Sequence, residues 1–231
     1  MILAIDTSTD ICSVSVIENE KQKSKNILNT KQLHAEKLIL IINQTLENIN
    51  ITLKDIKAIA VSIGPGSFTG LRISLSVAKG LCYVLGKPLI AVPTLDALAL
   101  RAKQFCNILK NYIHNEIFVC AVLNAKQSDF YFSFYKYESD QLVRVSNYLS
   151  GGIDEIKKKI SGLTVFIGDG VEILREKFYS QDTMIFLEDE INCTDAFYVA
   201  TIAEQKYKRG EFSDIETIEP IYVKEFLIKT K

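Results

Sequence analysis

Tryptophan is absent from this 231-residue chain, and it holds only two histidines, two methionines and four prolines. The scarcity of histidine removes most metal and triad chemistry. His34 opens His34-Ala-Glu-Lys-Leu38, and leucine stands four residues on, where a second ligand on the same helix face would be needed. His114 lies in a polar connection, and Ser67 sits in Gly-Pro-Gly-Ser-Phe-Thr-Gly, not in Gly-x-Ser-x-Gly. No metal site and no serine nucleophile are therefore expected. The five cysteines (Cys12, Cys82, Cys106, Cys120, Cys193) show no C-x-x-C spacing, and four lie in apolar runs. This odd, scattered set predicts free thiols and a cytoplasmic setting. Met1–Ile5 is too short for a leader core and is stopped by Asp6. No run approaches the roughly 18 apolar residues that would span a bilayer, so no membrane contact is expected. A net charge of −1 leaves too little excess cation to hold an RNA unaided. Lys157-Lys158-Lys159 and Lys206–Arg209 read as solvated helix faces.

What is present is 48% hydrophobic residues in alternating strand and helix patterns, which predicts a globular α/β protein. Strands are expected at 2–5, 12–17, 22–28, 56–63 and 89–92, with helices at 34–49, 68–85 and 94–105. A second block repeats this order: strands at 117–123, 130–137 and 141–148, a short helix at 153–160, a strand at 163–167 and a helix at 171–178. A strand at 183–187 and a helix at 194–208 complete it. The repetition predicts a duplicated α/β unit divided between residues 1–108 and 109–231.

The densest signal is Gly64-Pro-Gly-Ser-Phe-Thr-Gly-Leu-Arg72, a tight strand-to-helix turn with Ser67 or Thr69 as the helix cap. The Walker pattern fails here, because the chain has Thr69, Gly70 and Leu71 where glycine, lysine and a hydroxyl belong. A dinucleotide fingerprint also fails, since the next strand ends in Pro93-Thr94 without an acidic residue. A structural turn and an ancestral phosphate loop remain equal readings. Asp6-Thr7-Ser8 after the first strand, and Gly168-Asp-Gly170 after a later one, are further candidate phosphate turns, together with Gly64, Gly66 and Ser67. In the helix that follows, Gly70, Ser74 and Ala78 form one small-residue stripe with Leu71 and Leu81 beside it, and Ser76 and Gly80 form a second. Small ridges admit a neighbouring helix closely. The helix is apolar around most of its circumference, which predicts a partner beyond its own sheet.

The block order resembles the duplicated ASKHA fold of actin, heat-shock ATPases and sugar kinases, which places Asp-x-Gly-Thr in the hairpin after strand one; here Ser8 holds the glycine's place. Taken together, Ile2-Leu-Ala-Ile-Asp-Thr-Ser-Thr9, His34-Ala-Glu36, Gly64–Arg72, Ser76-Val-Ala-Lys-Gly-Leu81 and Ala91-Val-Pro-Thr-Leu-Asp-Ala-Leu98 resemble the TsaB (YeaZ) family. Asn124-Ala-Lys126 and Pro220-Ile-Tyr-Val-Lys224 stand where relatives show Asp-Ala-Arg and Pro-x-Tyr-x-Arg. The resemblance implies a subunit without catalytic residues or cofactor. Such a subunit supports a TsaD-like catalytic paralogue and a TsaE-like ATPase in making N6-threonylcarbamoyladenosine beside the tRNA anticodon. It implies docking through the first two helices, at Leu38, Ile42, Gly70, Leu71, Ser74, Ala78 and Leu81, with tRNA reached only through the complex. A homodimer of the free chain is left open. An ATP-dependent ASKHA phosphotransferase and a glycoprotease-like hydrolase are the alternatives.

Overall fold

The structure, a computed structural model, describes residues 1–29, 34–125, 128–178 and 182–223; Lys126 and Lys224 lie outside the described residues. The hairpin strands β1 (Ile2–Asp6), β2 (Ile11–Glu18) and β3 (Lys21–Asn29) are joined by β4 (Ala58–Ser62) and β5 (Leu89–Val92) in the order β3-β2-β1-β4-β5. The first three pair antiparallel, while β1–β4 and β4–β5 are parallel. A second sheet repeats the plan. It contains β6 (Ile117–Asn124), β7 (Phe130–Glu138), β8 (Gln141–Arg144), β9 (Leu149–Gly151), β10 (Leu163–Ile167) and β11 (Met184–Phe186). Its order is β11-β10-β6-β7-β8, with β9 on the end of β7. Duplication is thus visible in strand order and in the sense of every pairing.

Both faces of each sheet are covered, which is why β1, β4, β5 and β10 are buried at every residue. Pleating sends Leu3, Ile5, Ile59 and Val61 to one side, under α1 (His34–Glu47) and α2 (Phe68–Leu85). It sends Ile2, Ala4, Ala58 and Ala60 to the other, where Ala196, Val199, Ala200 and Ala203 of α7 (Ala196–Lys208) lie. The second sheet is covered by α3 (Thr94–Arg101) and α4 (Lys103–Lys110) on one face, through Leu95, Leu98 and Cys106. On its other face Ile156 of α5 (Ile153–Lys157) and Val171 and Leu174 of α6 (Val171–Lys177) close over Phe130, Phe132 and Phe166.

A single cut at 108 therefore does not separate the two cores. Helix α3 precedes it and α4 straddles it, yet both pack on the second sheet, while α7 follows it and packs on the first. Each sheet needs a helix from across the cut to cover its second face. Two elements also differ from expectation. The helix expected over 94–105 breaks at Ala102, whose N–H reaches Ala99 O at 2.9 Å, and restarts as α4. The strand expected over 141–148 divides because Ser146 Oγ takes the Phe134 N–H (2.8 Å) that a strand carbonyl would otherwise accept.

Helix α2, at 18 residues, is long and apolar enough by length and composition to cross a bilayer, contrary to the run-length expectation. Its buried stripe of Gly70, Leu71, Ser74, Leu75, Ala78 and Cys82 seats it on the first sheet, as in a core helix.

Candidate functional site

The stripe Gly70-Ser74-Ala78, expected to receive a partner, faces the protein's own sheet. Ser74 and Ala78 have no exposed surface, and Leu38, Ile42 and Leu71 are equally interior. A Cβ on Gly70 would stand 2.0 Å from the Thr7 carbonyl oxygen, so glycine here lets the first turn of α2 lie against the β1–β2 hairpin. Ser74 Oγ donates back to Leu71 O (3.2 Å), as a hydroxyl without water does. Of the expected docking residues only Leu81 keeps partial exposure. The cause is nonlocal: the Thr7 carbonyl admits only the glycine side of the helix.

The opposite side of α2 carries the exposed surface. Arg72, Ser76, Gly80 and Val84 recur at every fourth residue and are all exposed, with Tyr83 alongside. Val84 is 80% and Tyr83 82% exposed, and a Cβ at Gly80 would meet nothing within 4 Å. Helix α1 packs beside α2 and exposes Ile39 and Leu40. Large apolar residues exposed on two adjoining helices around a small-residue ridge make a surface suited to a second helix pair. The Ser76–Gly80 ridge is visible in the sequence, and the i, i+4 stripe from Arg72 to Val84 extends it; the exposure of Ile39 and Leu40 on α1 appears only in the folded chain.

The candidate phosphate turns close on the protein itself. Asp6 Oδ1 accepts from Ser8 N (2.9 Å) and Ser8 Oγ (2.6 Å). Ser67 N donates to Ser8 O (2.7 Å), and Thr7 Oγ1 donates to Gly70 O (2.7 Å). A Cβ on Gly66 would lie 2.4 Å from Ser8 O. Asp6, Thr7, Ser8, Gly66, Ser67 and Gly70 thus meet at one point, and they fill it. Ser67 does cap α2, accepting from Gly70 N at 3.3 Å. Gly64 N and O are both engaged by Thr94. At the second turn, Gly168 N donates to Asn192 Oδ1 (3.1 Å) and Gly170 N to Val122 O (3.3 Å), so these N–H groups also point inward. A cleft of about 280 Å³ remains between the β1–β2 hairpin and Gly168. Among the described residues its lining includes Asp10, Asp169 and Glu172 but neither lysine nor arginine, an unfavourable setting for phosphate. Among the described residues no group of three or more His, Cys, Asp or Glu is placed to hold a metal. Burial pushes the Cys12 thiol up to about 12, away from nucleophile chemistry.

Closure of the first turn has a direct test. Gly70→Ala should destabilise the fold by about 3 kcal/mol, because backbone, not a flexible side chain, occupies the Cβ position. Urea unfolding of the variant measures it; a loss under about 1 kcal/mol would mean that α2 can shift off the hairpin.

Among known proteins, residues 25–228 match the family model for TsaD, tRNA N6-adenosine threonylcarbamoyltransferase. The tRNA threonylcarbamoyladenosine biosynthesis protein TsaB of Buchnera aphidicola subsp. Schizaphis graminum is 34% identical over 179 residues, covering 74% of this chain and 79% of the relative. The TsaB protein of Escherichia coli is 27% identical over 227 residues, covering 96% and 94%. YeaZ from Pseudomonas aeruginosa superposes with a TM-score of 0.78 at 24% identity over 96% of this chain and 98% of that one. The activator of 2-hydroxyisocaproyl-CoA dehydratase from Clostridium difficile, solved with bound ADPNP, aligns at 10% identity over 92% of this chain and 98% of that one with a TM-score of 0.50, a likeness of fold. With its duplicated sheets, its closed phosphate turns and these relatives, the chain belongs to the tRNA threonylcarbamoyltransferase family on its TsaB branch.

Proposed function

We propose that the chain is a non-catalytic subunit of a tRNA N6-threonylcarbamoyladenosine-forming complex, holding a TsaD-like catalytic paralogue on the outer faces of α1 and α2. The observation that carries this reading is the exposed face of Ile39, Leu40, Tyr83 and Val84 around Ser76 and Gly80, at the helices on which docking was expected. The closed turns support a scaffold role over ATP-dependent phosphotransfer. The near-neutral charge supports contact with tRNA through the catalytic partner, and a TsaE-like ATPase is the expected third component in the cytoplasm. A homodimer of the free chain through the same face would compete with the partner.

Mixing the chain with its TsaD-like partner, followed by size exclusion with light scattering, should give a defined complex. The free chain should show no magnesium-dependent ATP turnover. Leu40→Asp and Val84→Asp change exposed residues, so each should stay folded while weakening the complex about 10- to 100-fold. Full-strength complexes from both variants would move the interface off these helices.

A further inference from the structure

At the N-terminal end of the docking face the Arg72 cation is held without a counter-charge among the described residues. The Arg72 guanidinium carbon lies 3.8 Å from the centroid of the Phe68 ring and 5.9 Å from that of Tyr222, and Nε donates to Tyr222 Oη at 3.0 Å. The two rings are themselves in contact, with centroids 5.5 Å apart. The guanidinium is thus fixed by stacking and by one hydrogen bond. That bond uses Nε and leaves the Nη edge, the part that grips a carboxylate in two parallel bonds. Among the described residues no carboxylate lies within 4.0 Å of Arg72, whereas Lys25, Arg101, Arg144 and Arg209 each have one. Arg72 is exposed and begins the outward stripe that runs on through Ser76 and Gly80 to Val84.

The charge of α2 itself is of one sign. Helix α2 contains Arg72 and Lys79 and no acidic residue, and its first turn offers the exposed Thr69 hydroxyl one turn before Arg72. The positive end of the helix macrodipole adds to the same sign. A second copy laid α2 against α2 would bring cation to cation, and a carboxylate could come only from Glu36 or Glu47 of its α1. A helix of a different protein with an Asp or Glu at this end would fill the Nη edge while its apolar residues cover Val77, Tyr83 and Val84.

We propose that Arg72 is the polar specificity determinant of the docking face and takes a carboxylate of the catalytic paralogue in a two-bond ion pair. This rests on the docking assignment above and adds the chemistry of the contact. A preformed guanidinium loses little side-chain freedom on binding, and it rejects partners that leave it buried without an anion.

The test uses the full chain and the catalytic paralogue, with affinity measured by calorimetry at several salt concentrations. Arg72→Ala should weaken binding about 10- to 100-fold and flatten its salt dependence, with Arg72→Glu weaker still. Arg72→Lys should recover only part of the loss, since a single ammonium cannot make the paired contact. Replacing the matching Asp or Glu of the paralogue by Arg should rescue Arg72→Glu. Gly80→Arg serves as the control for the face itself. If Gly80→Arg breaks the complex while Arg72→Ala binds as the natural chain does, the docking face stands and the carboxylate contact is wrong. If neither variant changes affinity, the docking assignment itself fails. If Arg72→Glu abolishes self-association but spares the mixed complex, the carboxylate belongs to a second copy and the proposal is overturned.

Discussion

Gly80→Arg should leave the free chain folded and remove its partner, while Ser74→Arg, earlier on the same helix, should take away a large part of the chain's stability. The two positions lie on different faces of α2. Gly80 is exposed, and a Cβ there meets nothing within 4 Å. Glycine inside a helix costs about 0.5–1 kcal/mol relative to a better helix former, so arginine here should hold or slightly raise the melting temperature. On the proposed docking face the same side chain would fill the space a partner helix needs. A loss of about 3 kcal/mol corresponds to over 100-fold in affinity, enough to abolish association at micromolar concentrations. Ser74 has no exposed surface and donates to Leu71 O. An arginine there would carry an unpaired charge into the first core, costing about 3–5 kcal/mol against a total stability of about 5–15 kcal/mol. Circular dichroism of each free variant on heating, then light scattering with the partner, separates the cases. A Ser74→Arg protein as stable as the natural chain would mean that α2 is rotated on its sheet, and a Gly80→Arg protein that still forms the complex would move the interface elsewhere.

That pair also shows where reading the sequence stops. The limits of α2 were legible, because Gly64-Pro-Gly-Ser marks its start and the apolar pattern ends at Leu85; Ser67 caps it as expected, and the structure adds Gly86 as its C-cap. Its inward side was not legible. Two ridges of small residues, Gly70-Ser74-Ala78 and Ser76-Gly80, satisfy the same spacing rule. What selects between them is the Thr7 carbonyl, far from Gly70 along the chain and 2.0 Å from where its Cβ would stand. The strand plan was readable from alternating runs, and even the repeat was visible as an order of elements. The crossing of α3 and α7 was not, since nothing local to Leu95 or Ala200 says which sheet it will cover. The turns at Asp6 and Gly168 looked alike as phosphate candidates for a similar reason. Their polar groups are spent on Ser8, Asn192 and Val122, partners that only the folded chain supplies.

Replacing Asp6 by asparagine should make the protein more stable at neutral pH, and the gain should vanish in acid. Asp6 is 1% exposed, and burial pushes its carboxyl from 3.8 up to about 6 against two hydrogen bonds from Ser8. Those bonds serve Oδ1; Oδ2 is buried with no partner in hydrogen-bond geometry among the described residues, and the nearby Ser62 hydroxyl draws the carboxyl only slightly down. A raised carboxyl pKa means that folding favours the protonated form. Its contribution to stability is complete below the unfolded value of 3.8, falls as pH rises through about 6, and is level above that. At 1.36 kcal/mol per pH unit, the ionised carboxylate costs about 3 kcal/mol at neutral pH. The asparagine amide would keep an oxygen for Ser8 and carry no charge. The stability difference between Asp6→Asn and the natural chain should therefore grow from near zero at about pH 4 to about 3 kcal/mol at about pH 7.5, a rise of roughly 6–12 °C in melting temperature for a chain of this length. Urea unfolding of both proteins at half-unit pH steps measures the curve. A difference that stays flat with pH would show that Oδ2 is solvated and the carboxyl titrates normally. A difference that widens toward acid would reverse the sign and mean that Asp6 is held by a cation or donor. The expected curve would place an unrelieved charge beneath the hairpin against which the first turn of α2 is packed.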